Sequence, residues 1–180
     1  MLYTDRLLLL RLKITDAEAI LEFYMQNKDY LEPYEPNKLP SFYTLDYHKK
    51  AIQAELIKEE QGRCIKFLIY QRNEPNYLIG MVTLNEIVKG CFQSCFIGYK
   101  ISKYHSNQGL MTEAVKAVTD YAFKQLKLHR IEANIMPRNT VSLRVVEKQG
   151  FVNEGLSKGY LKINDTWEDH IHMVLLNPNH

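Results

Sequence analysis

Three apolar segments separated by short breaks do most to limit the folds open to this chain. "CIKFLIYQ" (64–71), "YLIGMVTLNEI" (77–87) and "SCFIGYKI" (94–101) are rich in β-branched and aromatic residues, as strands are. The breaks between them, "RNEPN" and a stretch around Gly90, are turn-like and too short for a crossover helix. Strands joined in this way form an antiparallel meander. The next segment differs. "HSNQGL" (105–110) is small and polar, and it passes into a helical stripe of Met111, Val115, Val118, Ala122 and Leu126. "HRIEANIM" (129–136) then alternates, placing Ile131, Ala133 and Ile135 on one strand face.

The flanks add simpler elements. "RLLLLRL" (6–12) reads as a strand, and "TDAE" (15–18) as a capping box opening a helix through Ala19, Ile20, Phe23 and Tyr24. Three prolines in "EPYEPNKLP" (32–40) predict an irregular segment, followed by a helix over 46–60 that ends near Gly62. Past Pro137, "NTVSLRVVEKQG" is a short helix with Gly150 at its C-cap. "FVNEGLSKGYLKI" and "TWEDHIHMVLL" flank Asn164-Asp165, a hairpin signal. Without repeats, low-complexity tracts or linkers, the order βα-α-βββ-α-β-α-ββ predicts an α/β (α+β) layered fold, one domain over 1–180.

Composition narrows the class. A chain of 180 residues with 46% hydrophobic and 24% charged residues can bury a core without a metal or disulfide staple. A net charge of +2, from 23 basic and 21 acidic residues, argues for neither nucleic acid nor an anionic membrane. The basic turn "LKLHR" (126–130) is too short to claim RNA. Three cysteines (Cys64, Cys91, Cys95) with no disulfide-rich spacing suit a reducing cytoplasm. Arg11 interrupts the apolar run "LLLL", and no stretch has membrane-spanning length.

A strand ending at Ile101, a polar turn and a helix make an anion site. The first helical turn has backbone N–H groups without partners, the helix dipole adds positive potential, and Gly109 lets a ligand approach the backbone. Many such turns bind nothing, and these residues alone leave both readings open. Their context is more specific. "NQGLMTEA", followed about thirty residues later by "PRNTVSLRVVEKQGF", resembles the GNAT superfamily of acetyl-CoA-dependent N-acetyltransferases. With the tail "GYLKINDTWEDH", the chain is similar to the ribosomal-protein-alanine N-acetyltransferases of the RimJ/RimL type over about Thr4 to Leu176.

The resemblance implies a mixed, mostly antiparallel central sheet with helices on both faces and a splay between its fourth and fifth strands, 98–101 and 132–136. It further implies that Ser106, Asn107, Gln108, Gly109, Leu110, Met111 and Thr112 cradle the pyrophosphate of acetyl-CoA. The pantetheine arm would pair with the edge at Tyr99, Lys100 and Ile101, like a missing strand, and bond to Asn139. Acetyl-CoA is the expected co-substrate, and no metal is expected. The chain departs from the superfamily pattern at Ser106 (usually Gln or Arg), Asn107 (often Gly) and Met111 (usually Gly or Ala). It also carries Val146 where many relatives have the tyrosine that protonates the leaving thiolate.

Acetyl transfer to an amine needs an uncharged nucleophile, a stabilised oxyanion and a proton for the sulfur. A backbone N–H near Tyr99–Ile101 can meet the oxyanion. Ser142, one turn after Asn139, is the candidate proton donor; helix capping is the competing reading for both. Glu86 is a candidate carboxylate for an amine that needs little help, with surface exposure as its competing explanation. Tyr160, Trp167 and Asp169 lie on the final hairpin, bordering the acceptor site by resemblance. Strand periodicity puts Trp167, Asp169, Ile171 and Met173 on one face, which would make Trp167 core and give Asp169 a structural hydrogen bond. Glu168, His170 and His172, with Cys91 and Cys95, have ligand chemistry for zinc, but no sequence feature gathers them. The expected function is N-acetylation of a protein α-amine, such as a ribosomal protein's N-terminus, by a monomer or homodimer. A small-molecule amine acetyltransferase (polyamine, amino acid or antibiotic) and a non-catalytic CoA-binding module are the alternatives, and the segment 32–43 is expected to shape the acceptor cleft.

Overall fold

A computed structural model describes residues 1–179. Its strands are β1 (Leu2–Tyr3), β2 (Leu7–Arg11), β3 (Ile65–Gln71), β4 (Glu74–Val88), β5 (Ser94–Ile101), β6 (Arg130–Ile135), β7 (Val152–Ile163) and β8 (Thr166–Leu176). The helices are α1 (Ala17–Gln26), α2 (Lys28–Leu31), α3 (Leu45–Glu60), α4 (Leu110–Lys124) and α5 (Thr140–Glu147). The strands form one eight-stranded sheet, in the order β1-β2-β3-β4-β5-β6-β8-β7. Every neighbouring pair is antiparallel except β5 and β6, which are joined through α4 and run parallel. The fold is the mixed, mostly antiparallel α/β sheet expected.

Helices cover the sheet from both sides, which explains why "CIKFLIYQ" is apolar at nearly every position. On β3, Phe67 and Ile69 join Val115 and Val118 of α4 in one core, while Leu68 and Tyr70 join Ile20 and Phe23 of α1 and Ile52 of α3 in the other. A central strand buried on both faces loses the alternation of a half-exposed one. The stripe on α4 is buried as read, with Met111, Val115, Val118 and Ala122 all in the core. Leu126 falls just past the helix and packs from the following turn. Asn164 and Asp165 carry φ of 47° and 64° at the tip of the β7–β8 hairpin, the left-handed pair that such a turn requires.

Three local expectations are corrected. The first helix opens through a 3-10 turn, Ile14–Asp16, where Asp16 accepts from the Lys13 N–H at 2.7 Å; Thr15 and Glu18 form no capping box. Competition from the nearer Asp16 carboxylate moved the cap. β4 begins at Glu74, so the turn predicted over 72–76 shrinks to two residues. Trp167 is 65% exposed, although Ile171 and Met173 on the same strand face pack in the core. It sits by the hairpin tip, beyond the layer that α4 and α5 cover.

β5 and β6 part company midway. They pair at Ser94–Arg130, Cys95–Ile131 and Phe96–Glu132, and no further. Past that point β5 stays with β4, up to Gly80–Ile101, while β6 stays with β8, up to Ile135–Ile171. Gly80 makes the first attachment close: a Cβ there would stand 2.6 Å from the Lys100 carbonyl oxygen. The Ser102 N–H extends the hold by donating to Ile79 O at 2.7 Å. The sheet is thus wedged open, with backbone edges facing the gap.

Candidate functional site

The wedge is the mouth of a cavity of about 660 Å³, lined by β5 from Ile97 to Ile101, by Ala133–Met136 and by the start of α4. Ser106, Asn107, Gly109, Leu110, Met111 and Thr112 all contribute to its wall. Asn107 and Gly109 have φ of 58° and 75°, turning the loop so that α4 begins at Leu110. The first helical hydrogen bond is Glu113 N–H to Gly109 O, 3.1 Å, so the amides of 110–112 lie ahead of it at the positive end of the helix. Gln108 is turned away from the cavity. Its side chain donates to Tyr104 O at 2.9 Å, and its carbonyl accepts from Arg6 at 3.0 Å. The Ser106 hydroxyl bonds to Lys103 O at 3.1 Å, and the Met111 side chain belongs to the core. The side chains at two of the departures from the superfamily pattern, Ser106 and Met111, are thus engaged with the protein itself.

α5 forms another wall. Val141, Arg144, Val145 and Lys148 line the cavity at helical spacing, together with Asn139 and Ser142. Neither Arg144 nor Lys148 is ion-paired among the described residues, so the pair offers two charges to an anionic ligand. The spacing "RVVEK" carried that signal, and the sequence reading passed over it. Asn139 is the N-cap: its Oδ1 accepts from the Ser142 N–H at 3.2 Å. Ser142 supplies only its backbone to that cap, which answers the competing reading for its hydroxyl. Tyr99 ties β5 to this helix, its phenol donating to Ser142 O at 2.8 Å, and burial pushes that phenol's pKa well above the usual tyrosine range. Val146 is fully buried in the core, so position 146 presents no group to the cavity.

The other end of the cavity is roofed by the segment after α1. Tyr30, Leu31, Tyr34, Glu35 and Pro36 line the cavity opposite Asn134, Leu161, Ile163 and His170. Hydrogen bonds hold this roof to the β7–β8 hairpin and its surroundings: Asn164 to Glu32 O (2.8 Å), Asn37 to Asp165 (2.8 Å) and Arg138 to Pro33 O (2.6 Å). Of the proline-rich segment, residues 34–36 line this end of the cavity.

Among the described residues, Glu35 is the one carboxylate in the cavity lining. Sequence reading missed it because nothing in "PYEP" marks the glutamate as inward-facing. It bonds Lys100 and Lys38, and Lys100 also donates to the Tyr24 hydroxyl at 2.9 Å. Burial alone would raise the Glu35 pKa, but the Lys100 and Lys38 ammonium groups overcome it and hold the carboxyl below its usual range. Lys100 is raised in turn, Tyr24 and Glu35 outweighing its burial. Both members of the pair stay charged at neutral pH.

Glu86 is not in the site. It sits at a register break in β4 with φ of 46°, its side chain turned out to Arg63 at 3.4 Å. The bulge leaves Asn85 on the cavity side and points the next residue to solvent. Asp169 makes structural bonds, to the Gly159 N–H and Lys158, each at 2.9 Å, and the Lys158 ammonium holds its pKa down. The zinc-like residues do not converge: Glu168 pairs with Arg138, His172 with Glu132, and no metal-binding group of three ligands forms among the described residues. No helix among them is long and apolar enough to cross a membrane.

Comparison with known proteins agrees with this architecture. The model of the Acetyltransferase (GNAT) domain matches residues 6–152. The chain is 43% identical to a probable N-acetyltransferase, YjcK, of Bacillus subtilis, over 93% of its own length and 92% of the relative's. It is 34% identical to the [ribosomal protein uS5]-alanine N-acetyltransferase of Escherichia coli, covering 99% and 91% of the two chains. Mycobacterium smegmatis RimJ, solved in complex with CoA-disulfide, superposes with a TM-score of 0.90 at 27% identity, over 96% of this chain and 83% of that one. The wedged sheet, the start of α4 on the cavity wall and these relationships lead to one assignment: the chain belongs to the GNAT acetyltransferase family, and its reaction is acetyl transfer from acetyl-CoA to an amine.

Proposed function

We propose that this protein acetylates the N-terminal α-amine of a protein, a ribosomal protein being the favoured class, and that residues 1–180 act as a single acetyltransferase domain in the cytoplasm. The observation that carries this reading is the two-ended cavity, with an anion-binding helix start at one end and a roofed acceptor cleft at the other. The E. coli relative, named for alanine acetylation of uS5, supports the acceptor class. The three unpaired thiols, with only Cys91 exposed, fit a reducing compartment.

The residues present suit acetyl-CoA. In this reading, the amides of 110–112 and the cations Arg144 and Lys148 hold its phosphates. The free edges of β5 and β6, with Asn139, hold its amide-rich arm. Acetyl-CoA supplies an acetyl thioester, whose carbonyl is attacked by the amine. A β5 amide near Tyr99–Ile101 stabilises the oxyanion; as the carbon–sulfur bond breaks, the Ser142 hydroxyl gives a proton to the departing sulfur and regains one, through water, from the nitrogen that has formed the amide bond. Glu35, kept ionised by its lysines, is too weak a base to take the amine's proton and instead fixes the charge of the acceptor end. An α-amine tolerates that arrangement. With a reference pKa of about 7.7–8.0, roughly a tenth of it is neutral at pH 7, against less than about 0.1% of a lysine side chain at about 10.4.

A thiol-release assay with free-N-terminus peptides, lysine ε-amine peptides and polyamines tests the reading. Turnover confined to α-amines is the expected result. Preference for a polyamine or an ε-amine would replace the acceptor class, and tight CoA binding without turnover on any amine would reduce the protein to a binding module.

A further inference from the structure

Beside the acetyl-transfer cavity, on the same face of the sheet, three strands contribute side chains to a separate hydrogen-bonded line. Ser157 Oγ of β7 stands 2.6 Å from His172 Nε2 of β8, and His172 Nδ1 stands 2.6 Å from Glu132 Oε1 of β6. The line crosses the sheet diagonally, since Asn134 is the register partner of His172 and His170 that of Ser157. Sequence separation hides the grouping, because the three residues lie up to 40 positions apart.

Glu132 and His172 are each fixed from a second direction. The other Glu132 oxygen accepts from Arg130 at 2.9 Å, so the carboxylate is held ionised and cannot rotate off the imidazole. The Tyr160 ring meets the imidazole edge-on, 5.1 Å between centroids, and is itself anchored by Asn134 at 3.1 Å. An ionised carboxylate at Nδ1 selects the tautomer with the proton on that nitrogen, which leaves Nε2 bare. The bare nitrogen faces the Ser157 hydroxyl, so the serine donates. These are the roles of orienting acid, base and nucleophile, recognised by geometry and not by sequence position.

We propose that Ser157, His172 and Glu132 form a second reactive site, which hydrolyses small activated carboxylic esters independently of coenzyme A. The Ser157 oxygen adds to the ester carbonyl while its proton passes to His172 Nε2. The carbon–oxygen bond to the leaving group breaks, and the departing oxygen takes that proton, leaving an acyl-serine. Water then attacks the acyl carbon, passing its proton to His172, and the serine oxygen leaves and recovers that proton as the carboxylic acid is released. Ser157 and His172 are half-buried strand residues, so the site takes small acyl groups on good leaving groups such as aryl oxides. Ser157 and His172 do not line the acetyl-transfer cavity, so the two activities separate by mutation.

The test uses the full chain, a fluorophosphonate serine probe and 4-nitrophenyl acetate. Intact mass and peptide mapping should find one probe adduct, on Ser157 of the parent protein. Ser157→Ala should lose both adduct and ester turnover while keeping CoA-dependent acetyl transfer. His172→Gln should slow labelling by about 10²-fold or more, the contribution of a positioned base. An unlabelled parent protein, an adduct at another residue, or ester turnover unchanged in Ser157→Ala would overturn the proposal. Should Ser157→Ala fail to fold, the position of the adduct on the parent decides alone. Neither the probe adduct nor the ester turnover requires the acceptor amine to be known, so failure of those two readouts leaves the acetyltransferase reading untouched.

Discussion

Replacing Glu35 by Gln removes the one carboxylate among the described residues lining the cavity and leaves Lys38 and Lys100 facing each other across a neutral amide. The Glu35 side chain is 14% exposed and that of Lys100 25%, so solvent screens the pair only in part. Two unit charges at about 4 Å in an effective dielectric of about 20 attract by about 4 kcal/mol. Part of that offsets desolvation in the parent, but the desolvation of Lys100 persists in the variant. Removing one partner of such a pair should therefore cost about 2–4 kcal/mol. Lys100 keeps the Tyr24 hydroxyl, which places the expected value toward the lower end.

Urea denaturation of Glu35→Gln, Lys100→Met and the double variant measures this directly. The double variant leaves no unpaired charge from the Glu35–Lys100 pair, so it should be less destabilised than the two singles added together, by at least about 1 kcal/mol. The parent should also lose stability in acid. Glu35 has a folded pKa below the unfolded carboxylate value, so its contribution is complete above about 4.5 and fades as pH falls through the folded pKa. Glu35→Gln should lack that component. Additive singles, or a single costing under about 0.5 kcal/mol, would refute the view that this pair organises the cleft. In turnover, Glu35→Gln should change KM for the acceptor and leave the affinity for acetyl-CoA alone.

The other predictions concern separate elements. Gly109→Ala should weaken acetyl-CoA binding in calorimetry and cost about 1–2 kcal/mol, because φ of 75° disfavours any Cβ although nothing closer than the Arg6 guanidinium, 3.5 Å away, obstructs one. His48 is buried against Tyr24 and Phe42, and burial, then the Lys66 ammonium, lowers its pKa against an opposing Glu55. The unfolded chain then binds more protons, so stability should fall as pH drops below about 6.5 until the folded pKa is reached; His48→Phe should flatten that part of the melting-temperature profile. Asn139→Ala should cost about 0.5–2 kcal/mol as a lost cap and weaken coenzyme binding. Ser142→Ala, whose hydroxyl caps nothing, should retain stability and lower kcat by about 10²–10⁴-fold, less with a thioester of lower thiol pKa; equal kcat where chemistry limits would remove Ser142 from the reaction.

What could be read from the sequence, and what could not, follows the range over which each signal acts. The turn into α4 was legible because its requirements are local: a left-handed Asn107, a Cβ-free Gly109 and a helix start lie within six residues. The β-meander and the hairpin turn at Asn164-Asp165 were legible for the same reason. The splay was reached only through resemblance, since the point where β5–β6 pairing ends, after Phe96–Glu132, is a relation between strands that no periodicity announces. Glu86 was misplaced because strand alternation assumes an unbroken ladder, and the register break after Asn85 reverses which side chain turns inward.

The same distinction governs the charged groups. Glu35 meets Lys100 across 65 positions, and Glu132 meets His172 across 40, so neither pairing leaves a mark in local composition. Both depend on the order β5-β6-β8-β7, which sets the acceptor cleft beside the diagonal from Glu132 to Ser157. Because β6 is shared, its alternation does two jobs at once: Ile131, Ala133 and Ile135 face the core, and Glu132 and Asn134 face the opposite side. A one-residue slip of β6 against β8 would bury Glu132 and expose the isoleucines. The core thus fixes the register that brings the carboxylate to His172, and loss of core packing on β6 should disturb the Ser157 site before it reaches the start of α4.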